Sequence, residues 1–262
     1  MPTTRRVATA VVELLFWPAL LGYGEAALAY TSPRFTRLGT WGVRLGWVAQ
    51  TALLTLQAAR ADGFPWSTWA GSLSLFVWFV VGIYLIWGCR DRYRLLGLAL
   101  MPFAAVLFVV ARVGGGTRAG QASHYGNVFL VLHVGFVVAA FAGFTVAAAL
   151  AALYLWEERR LKRRAADILR LRLPPLATLE RLTQRTIAFS LPLLTLGLAA
   201  GFVRLDEDGG GADALMAVTG LTWLLYGGFV ALRLSGRRAA YVALGGFALV
   251  ILVRIALAGS HF

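Results

Sequence analysis

Histidine is scarce in this chain of 262 residues: only His124, His133 and His261 carry an imidazole. An imidazole nitrogen is a good ligand for iron, and two imidazoles on different helices at one depth can hold a haem iron from opposite sides. His133 falls at the start of a long apolar run, His124 in the stretch before it, and His261 just after the last apolar run. The same positions would also suit interfacial hydrogen-bonding residues, a common place for histidine. Arg254 lies seven residues before His261, close to two helical turns, so both project from nearly one face with the arginine deeper. A guanidinium at that depth needs a partner. Either it forms a salt bridge with Glu13 or Glu25, or it clamps a carboxylate such as a haem propionate, which its planar fork suits. Arg112 and Arg118, ahead of His124, are further candidates for that carboxylate, and are otherwise solvated loop charges.

These residues must be positioned by membrane-spanning helices. The chain is 59% hydrophobic and 14% charged, with a mean hydropathy of +0.72, a balance that excludes an ordinary water-soluble domain. Its apolar runs are continuous and do not alternate, which favours α-helices over a β-barrel, since each helix satisfies its own backbone groups in lipid. The expectation is an all-α, polytopic bundle of about eight helices, at 7–30, 41–59, 72–89, 95–112, 127–156, 186–204, 213–233 and 239–258. Together they form one integral membrane domain over 1–262. The basic start before the first run is read as part of a retained helix and not as a cleaved signal. The fifth helix is expected to continue past the bilayer through Glu157-Glu158-Arg159-Arg160, up to a break at Pro174-Pro175.

Orientation follows from charge. With both termini outside, most of the 25 basic residues fall on inner segments: Arg34, Arg37 and Arg44; Arg90, Arg92 and Arg94; the group from Arg159 to Arg185; and Arg233, Arg237 and Arg238. The acidic run Asp206-Glu207-Asp208 then faces outward, in keeping with the positive-inside rule. This asymmetry accounts for the net charge of +13 without nucleic acid. The basic inner stretch 157–185 would lie against anionic headgroups, or would dock an acidic cytosolic partner.

The single cysteine, Cys89, leaves no internal disulfide and no paired-cysteine haem attachment, so any haem would be haem b held non-covalently. Gly114-Gly115-Gly116 and Gly209-Gly210-Gly211 precede no strand and read as flexible outward turns. Trp41, Trp47, Trp66, Trp69, Trp156 and Trp223 read as interfacial belts. No catalytic arrangement of side chains is visible, and the chain is not expected to be an enzyme.

Several segments then combine: Leu132-His133-Val134-Gly135 opening the long helix; Leu173-Pro174-Pro175-Leu176-Ala177-Thr178-Leu179-Glu180-Arg181; and Leu193-Leu194-Thr195-Leu196-Gly197. Leu221-Thr222-Trp223-Leu224-Leu225-Tyr226, Gly236-Arg237-Arg238-Ala239-Ala240-Tyr241 and Gly246-Phe247 follow. In order and spacing, the half of the chain from His133 onward resembles the cytochrome c assembly protein family, the CcsA/CcmC/HemX-like haem-handling membrane proteins. The first four helices match in hydropathy alone. The resemblance implies that His133, and His261 in Gly259-Ser260-His261-Phe262, are axial haem ligands on the outer side. Members that present haem for attachment carry a tryptophan-rich WGxxWxWD segment. Here Leu205-Asp206-Glu207-Asp208-Gly209-Gly210-Gly211 stands in its place, which is closer to the HemX-like branch associated with haem biosynthesis and its regulation.

The expected function is haem handling in cytochrome c biogenesis or haem delivery, in the plasma membrane of a bacterium. A membrane scaffold that regulates a haem-biosynthesis enzyme without binding haem is the alternative, and a small-molecule or haem transporter the third. Expected partners are membrane lipids and either another cytochrome c maturation protein or a haem-biosynthesis enzyme.

Overall fold

The structure is a computed structural model that describes residues 2–60, 65–66, 68–88, 93–117, 128–163, 174–208 and 214–259. Among these there are eight α-helices, one short 3-10 turn and no strand. The helices are α1 (Pro2–Ala29), α2 (Thr36–Arg60), α3 (Trp69–Gly88), α4 (Arg94–Val113), α5 (Val128–Lys162), α6 (Leu176–Asp208), α7 (Ala214–Ala231) and α8 (Gly236–Gly259). The all-α membrane bundle expected from hydropathy is thus observed. Helices α3, α4, α5 and α6 each hold an apolar stretch long enough to cross a bilayer, and α7 a shorter one at Met216–Ala231.

Three helix starts lie five or more residues ahead of expectation, that of α1 at Pro2 among them. Helix α6 begins at Leu176, directly after Pro174-Pro175, about three turns before its apolar stretch. Proline suits a helix start, and the polar residues that follow are helical without being apolar, so a hydropathy window passes over them. Arg181 and Arg185 therefore ride on a helix and not on a loop. Helix α2 likewise begins at Thr36, after a 3-10 turn at Pro33–Phe35. Helix α5 does run on through the charged stretch, as far as Lys162. Its 35 residues span about 52 Å at 1.5 Å per residue, well beyond an apolar core of about 30 Å.

Contacts divide the chain into two compact units, Met1–Val134 and Gly135–Phe262. In the first, α1 packs against α2 and α4, and α3 against α2 and α4. Small residues set the closest approach. A Cβ on Gly22 would lie 2.5 Å from the Gly42 carbonyl oxygen, and one on Gly46 3.0 Å from the Ala19 carbonyl oxygen. Lipid offers no hydrophobic drive between helices, so this backbone-to-backbone packing supplies the attraction. Polar bridges cross the same unit. The buried Tyr23 hydroxyl donates to Gln50 Oε1 at 2.6 Å, and Gln50 Nε2 donates to the Ser74 carbonyl at 3.0 Å.

Helix α4 ends in a left-handed cap. Gly115 has φ of 82°, its N–H bonds to the Arg112 carbonyl at 3.0 Å, and the Gly116 N–H bonds to that of Ala111 at 2.8 Å. Trp69 and Ala70 pack on this turn, and a Cβ on Gly114 would reach within 2.5 Å of the Trp69 ring. Gly114–Gly116 is therefore a packed cap and not the flexible turn expected. Gly209-Gly210-Gly211 lies outside the described residues.

In the second unit the core gathers Phe144 and Ala147 of α5, Ile187 and Leu194 of α6, Tyr226 and Phe229 of α7, and Ala240 and Ala243 of α8. Phe144 and Tyr226 stack with centroids 3.9 Å apart and planes within 4°. The Tyr226 hydroxyl donates to the Ala243 carbonyl at 3.1 Å, so the ring's polar end is satisfied inside the core.

Candidate functional site

His133 is the sixth residue of α5 and is half-buried. Val128, Phe129, Val131 and Leu132, around it on the first turns, are exposed apolar side chains. An imidazole framed in this way on a helix end can offer a nitrogen to a flat apolar ligand such as a porphyrin. His124 and Arg118 fall in residues 118–127, and His261 in 260–262, all outside the described residues. Arg254 has its backbone in α8, and its side chain is outside the described set. Of the six candidates, the structure therefore describes the surroundings of His133 and Arg112, and it does not describe His133 together with His261.

Arg112 is the clearer revision. It occupies the last turn of α4, where a cation is favoured by the helix dipole. Its Nη2 lies 3.8 Å from Glu13 Oε1, its Nη1 donates to Thr117 Oγ1 at 3.3 Å, and its guanidinium sits 5.2 Å from the Phe16 ring centroid. Arg112 is thus no solvated loop charge. Glu13, offered above as a partner for Arg254, pairs with Arg112. No signal in the sequence pairs residues 13 and 112, because the contact exists only once α1 packs on α4.

Several of the segments that carried the family resemblance make contacts within the second unit. Glu180 Oε1 accepts the Gly236 N–H at 2.7 Å, which joins the start of α6 to the start of α8. Trp223 Nε1 donates to Thr195 Oγ1 at 2.8 Å, from the middle of α7 to α6. A Cβ on Gly197 would lie 2.7 Å from Val137 Cγ2, and one on Gly246 2.9 Å from Leu225 and Tyr226. Those residues set how closely α5, α6, α7 and α8 pack. Trp223, read above as part of a belt, is a hydrogen-bonded bridge well inside its helix.

At the Lys162 end of α5, Glu158 pairs with Lys162 at 2.7 Å and with Arg237 at 3.2 Å. Gln184 Nε2 donates to the Leu234 carbonyl at 3.0 Å, and the Arg160 guanidinium lies 4.5 Å from the Trp156 ring centroid. Exposed pairs of this kind add little stability each; they hold the end of α5 and the α7–α8 turn in register. Among the described residues no three His, Cys, Asp or Glu side chains gather as a metal-ion site.

A helical bundle with membrane-length apolar helices, built on contacts between these particular segments, defines a class of polytopic membrane protein. The family model for the cytochrome C assembly protein matches residues 66–258, and the chain belongs to that family. The match begins ahead of α3, so it reaches further forward than the half of the chain from His133. Among relatives, a cytochrome c biogenesis protein CcsA of Microcystis aeruginosa is 24% identical over 90% of this chain and 89% of its own. CcsA of Guillardia theta is 25% identical, covering 81% of this chain and 79% of its own. Protein HemX of Brevibacillus brevis is 27% identical over 60% of this chain and 58% of its own.

Proposed function

We propose that this protein handles haem b, held non-covalently, for cytochrome c biogenesis in a bacterial plasma membrane, binding and orienting the haem without catalysing a reaction. The observation that carries this is the family match over 66–258, which contains His133 at the exposed, apolar start of α5. A haem offers iron for an imidazole nitrogen, an apolar macrocycle for the Val128–Leu132 surface, and two propionates for guanidinium groups. His133 is the proposed first ligand and His261 the proposed second, with Arg254, Arg118 and His124 around the propionates. Arg112, engaged by Glu13 and Thr117, has the weaker claim.

The experiment is an absorption spectrum of detergent-purified protein, before and after dithionite, from cells supplied with a haem precursor. Stoichiometric six-coordinate haem that is lost in His133→Ala is the expected result. An unchanged spectrum in His133→Ala removes that residue as ligand. A haem-free wild type favours the second reading, a HemX-like scaffold that regulates a haem-biosynthesis enzyme. That reading is supported by the absence of tryptophan from Leu205–Gly211 and by the HemX relative.

A further inference from the structure

A groove of about 430 Å³ runs along the seam of α2 and α3, lined by Trp47, Trp78, Phe79, Gly82, Ile83 and Ile86. Trp47 and Trp78 close one end as a stacked pair, centroids 5.2 Å apart and planes within 15°. Trp47 was read above as part of an interfacial belt; it is instead embedded between two helices, and Gly82 leaves it room. The polar atoms of the pair form a closed circuit. Trp47 Nε1 donates to the Trp78 carbonyl at 3.1 Å, Trp78 Nε1 donates to Thr51 Oγ1 at 2.7 Å, and the Thr51 hydroxyl donates to the Trp47 carbonyl at 2.7 Å. No indole N–H is left for a guest, so the groove suits hydrocarbon.

The rim is cationic. Arg37, Arg44 and Thr51 are spaced by seven residues, nearly two turns, so the two arginines stand in the row of α2 that leads down from the groove wall. Both are exposed, and Arg44 lies 5.2 Å from the Trp41 ring centroid. Among the described residues neither has a carboxylate partner. Glu25 packs near Gly42, which is two residues and about 200° around the helix from Arg44. In the orientation set by the arginine asymmetry, this rim lies at the inner leaflet, with the groove above it reaching towards mid-membrane.

We propose that the α2–α3 seam binds one anionic glycerophospholipid of the inner leaflet. One of its two acyl chains lies in the groove against the Trp47–Trp78 pair, and its phosphate meets Arg37 and Arg44. Hydrocarbon beyond a fixed anion matches an apolar groove that lies on the mid-membrane side of two guanidiniums with no carboxylate partner among the described residues. A haem would also present carboxylates, but the groove-lining side chains include no histidine, cysteine, methionine or tyrosine to ligate iron.

The test uses the full chain in mild detergent, with native mass spectrometry and the thermal midpoint Tm read against added phosphatidylglycerol or phosphatidylcholine of identical acyl chains. One retained phosphatidylglycerol is expected, with a preference over phosphatidylcholine on the order of tenfold. R37Q/R44Q should abolish that preference while the circular dichroism stays helical. R233Q/R238Q, which removes the same charge elsewhere on the inner side, should keep it. Ile86→Trp, at the exposed end of the groove, should weaken retention of both lipids without altering the Tm in detergent alone. Equal retention of both lipids by the wild type, equal loss in the two arginine double variants, or displacement of the bound lipid by haem would each overturn the proposal.

Discussion

The two units solve the same problem by different means. The first brings helices together through glycine, with Gly22, Gly42 and Gly46 allowing backbones to touch, and ties them with buried polar bridges such as Tyr23 to Gln50. The second packs an aromatic and alanine-rich core, in which Phe144 lies flat on Tyr226, and adds polar contacts both inside that core, from Tyr226 to the Ala243 carbonyl, and at helix ends, from Gly236 to Glu180. The contrast shows which substitutions each half tolerates. In the first unit added volume meets backbone, as at Gly22 and Gly46, whereas in the second it meets side chains, as at Gly197 and Gly246, and lost aromatic surface is the further hazard. Lipid is as apolar as the side chains, so neither unit can rely on exclusion of water.

Gly46→Leu should break the comparison most sharply. Its side chain would meet the Ala19 carbonyl and the Tyr23 ring, at a cost of about 3 kcal/mol or more. Gly24→Leu, where a Cβ meets nothing within 4 Å, is the matched control. The difference would be read as loss of Tm in detergent for the first and little change for the second. Tyr23→Phe comes next. It removes the donor to Gln50 and leaves a buried amide oxygen unpaired, which costs about 1 kcal/mol, measured by reversible unfolding in mixed micelles. Equal Tm for Tyr23→Phe and wild type would show the bridge to be dispensable. The smallest effect has the opposite sign. Arg233 adopts φ of 48° at the end of α7, a conformation that suits glycine, so Arg233→Gly should stabilise the second unit by about 0.5–1 kcal/mol. A fall in Tm would mean that the arginine side chain contributes more than its backbone conformation costs.

Much of the fold was legible from hydropathy, because a run of some 20 apolar residues has few alternatives in a bilayer. The start of α6 was not, since Glu180, Arg181 and Arg185 make a helical turn look like a loop. Trp47 and Trp223 were misread for a related reason: an isolated tryptophan in an apolar run looks interfacial, and the partners that hold it, the Trp78 carbonyl and Thr195, are distant in sequence. Gly114–Gly116 looked flexible because glycine permits flexibility; the packing of Trp69 and Ala70 decides otherwise. Of the candidate site, the position of His133 near the head of a long helix was legible. The role of Arg112 was not, because it depends on α1 lying beside α4. The resemblance segments located the right residues without a reason for them, and the contacts of Glu180, Gly197, Trp223 and Gly246 provide that reason.

The glycine seam between α1 and α2 bears on how the chain is made. Helix α2 carries Arg37 and Arg44 in its first half, with the neutral but polar Gln50 and Gln57 beyond them, and an arginine opposes the partition of a lone helix from the translocon into lipid by about 3 kcal/mol at the helix centre and by less towards its ends. Its neighbour α1 is synthesised first and presents Gly22 to the very face of α2 that bears Gly42 and Gly46. The two helices are adjacent in sequence, so they can pair as soon as the second leaves the ribosome, with Gln50 meeting Tyr23 in place of hydrocarbon. Insertion of this polar helix is then a property of the hairpin, and a crowded Gly46 would act during synthesis, before any native fold exists to be destabilised.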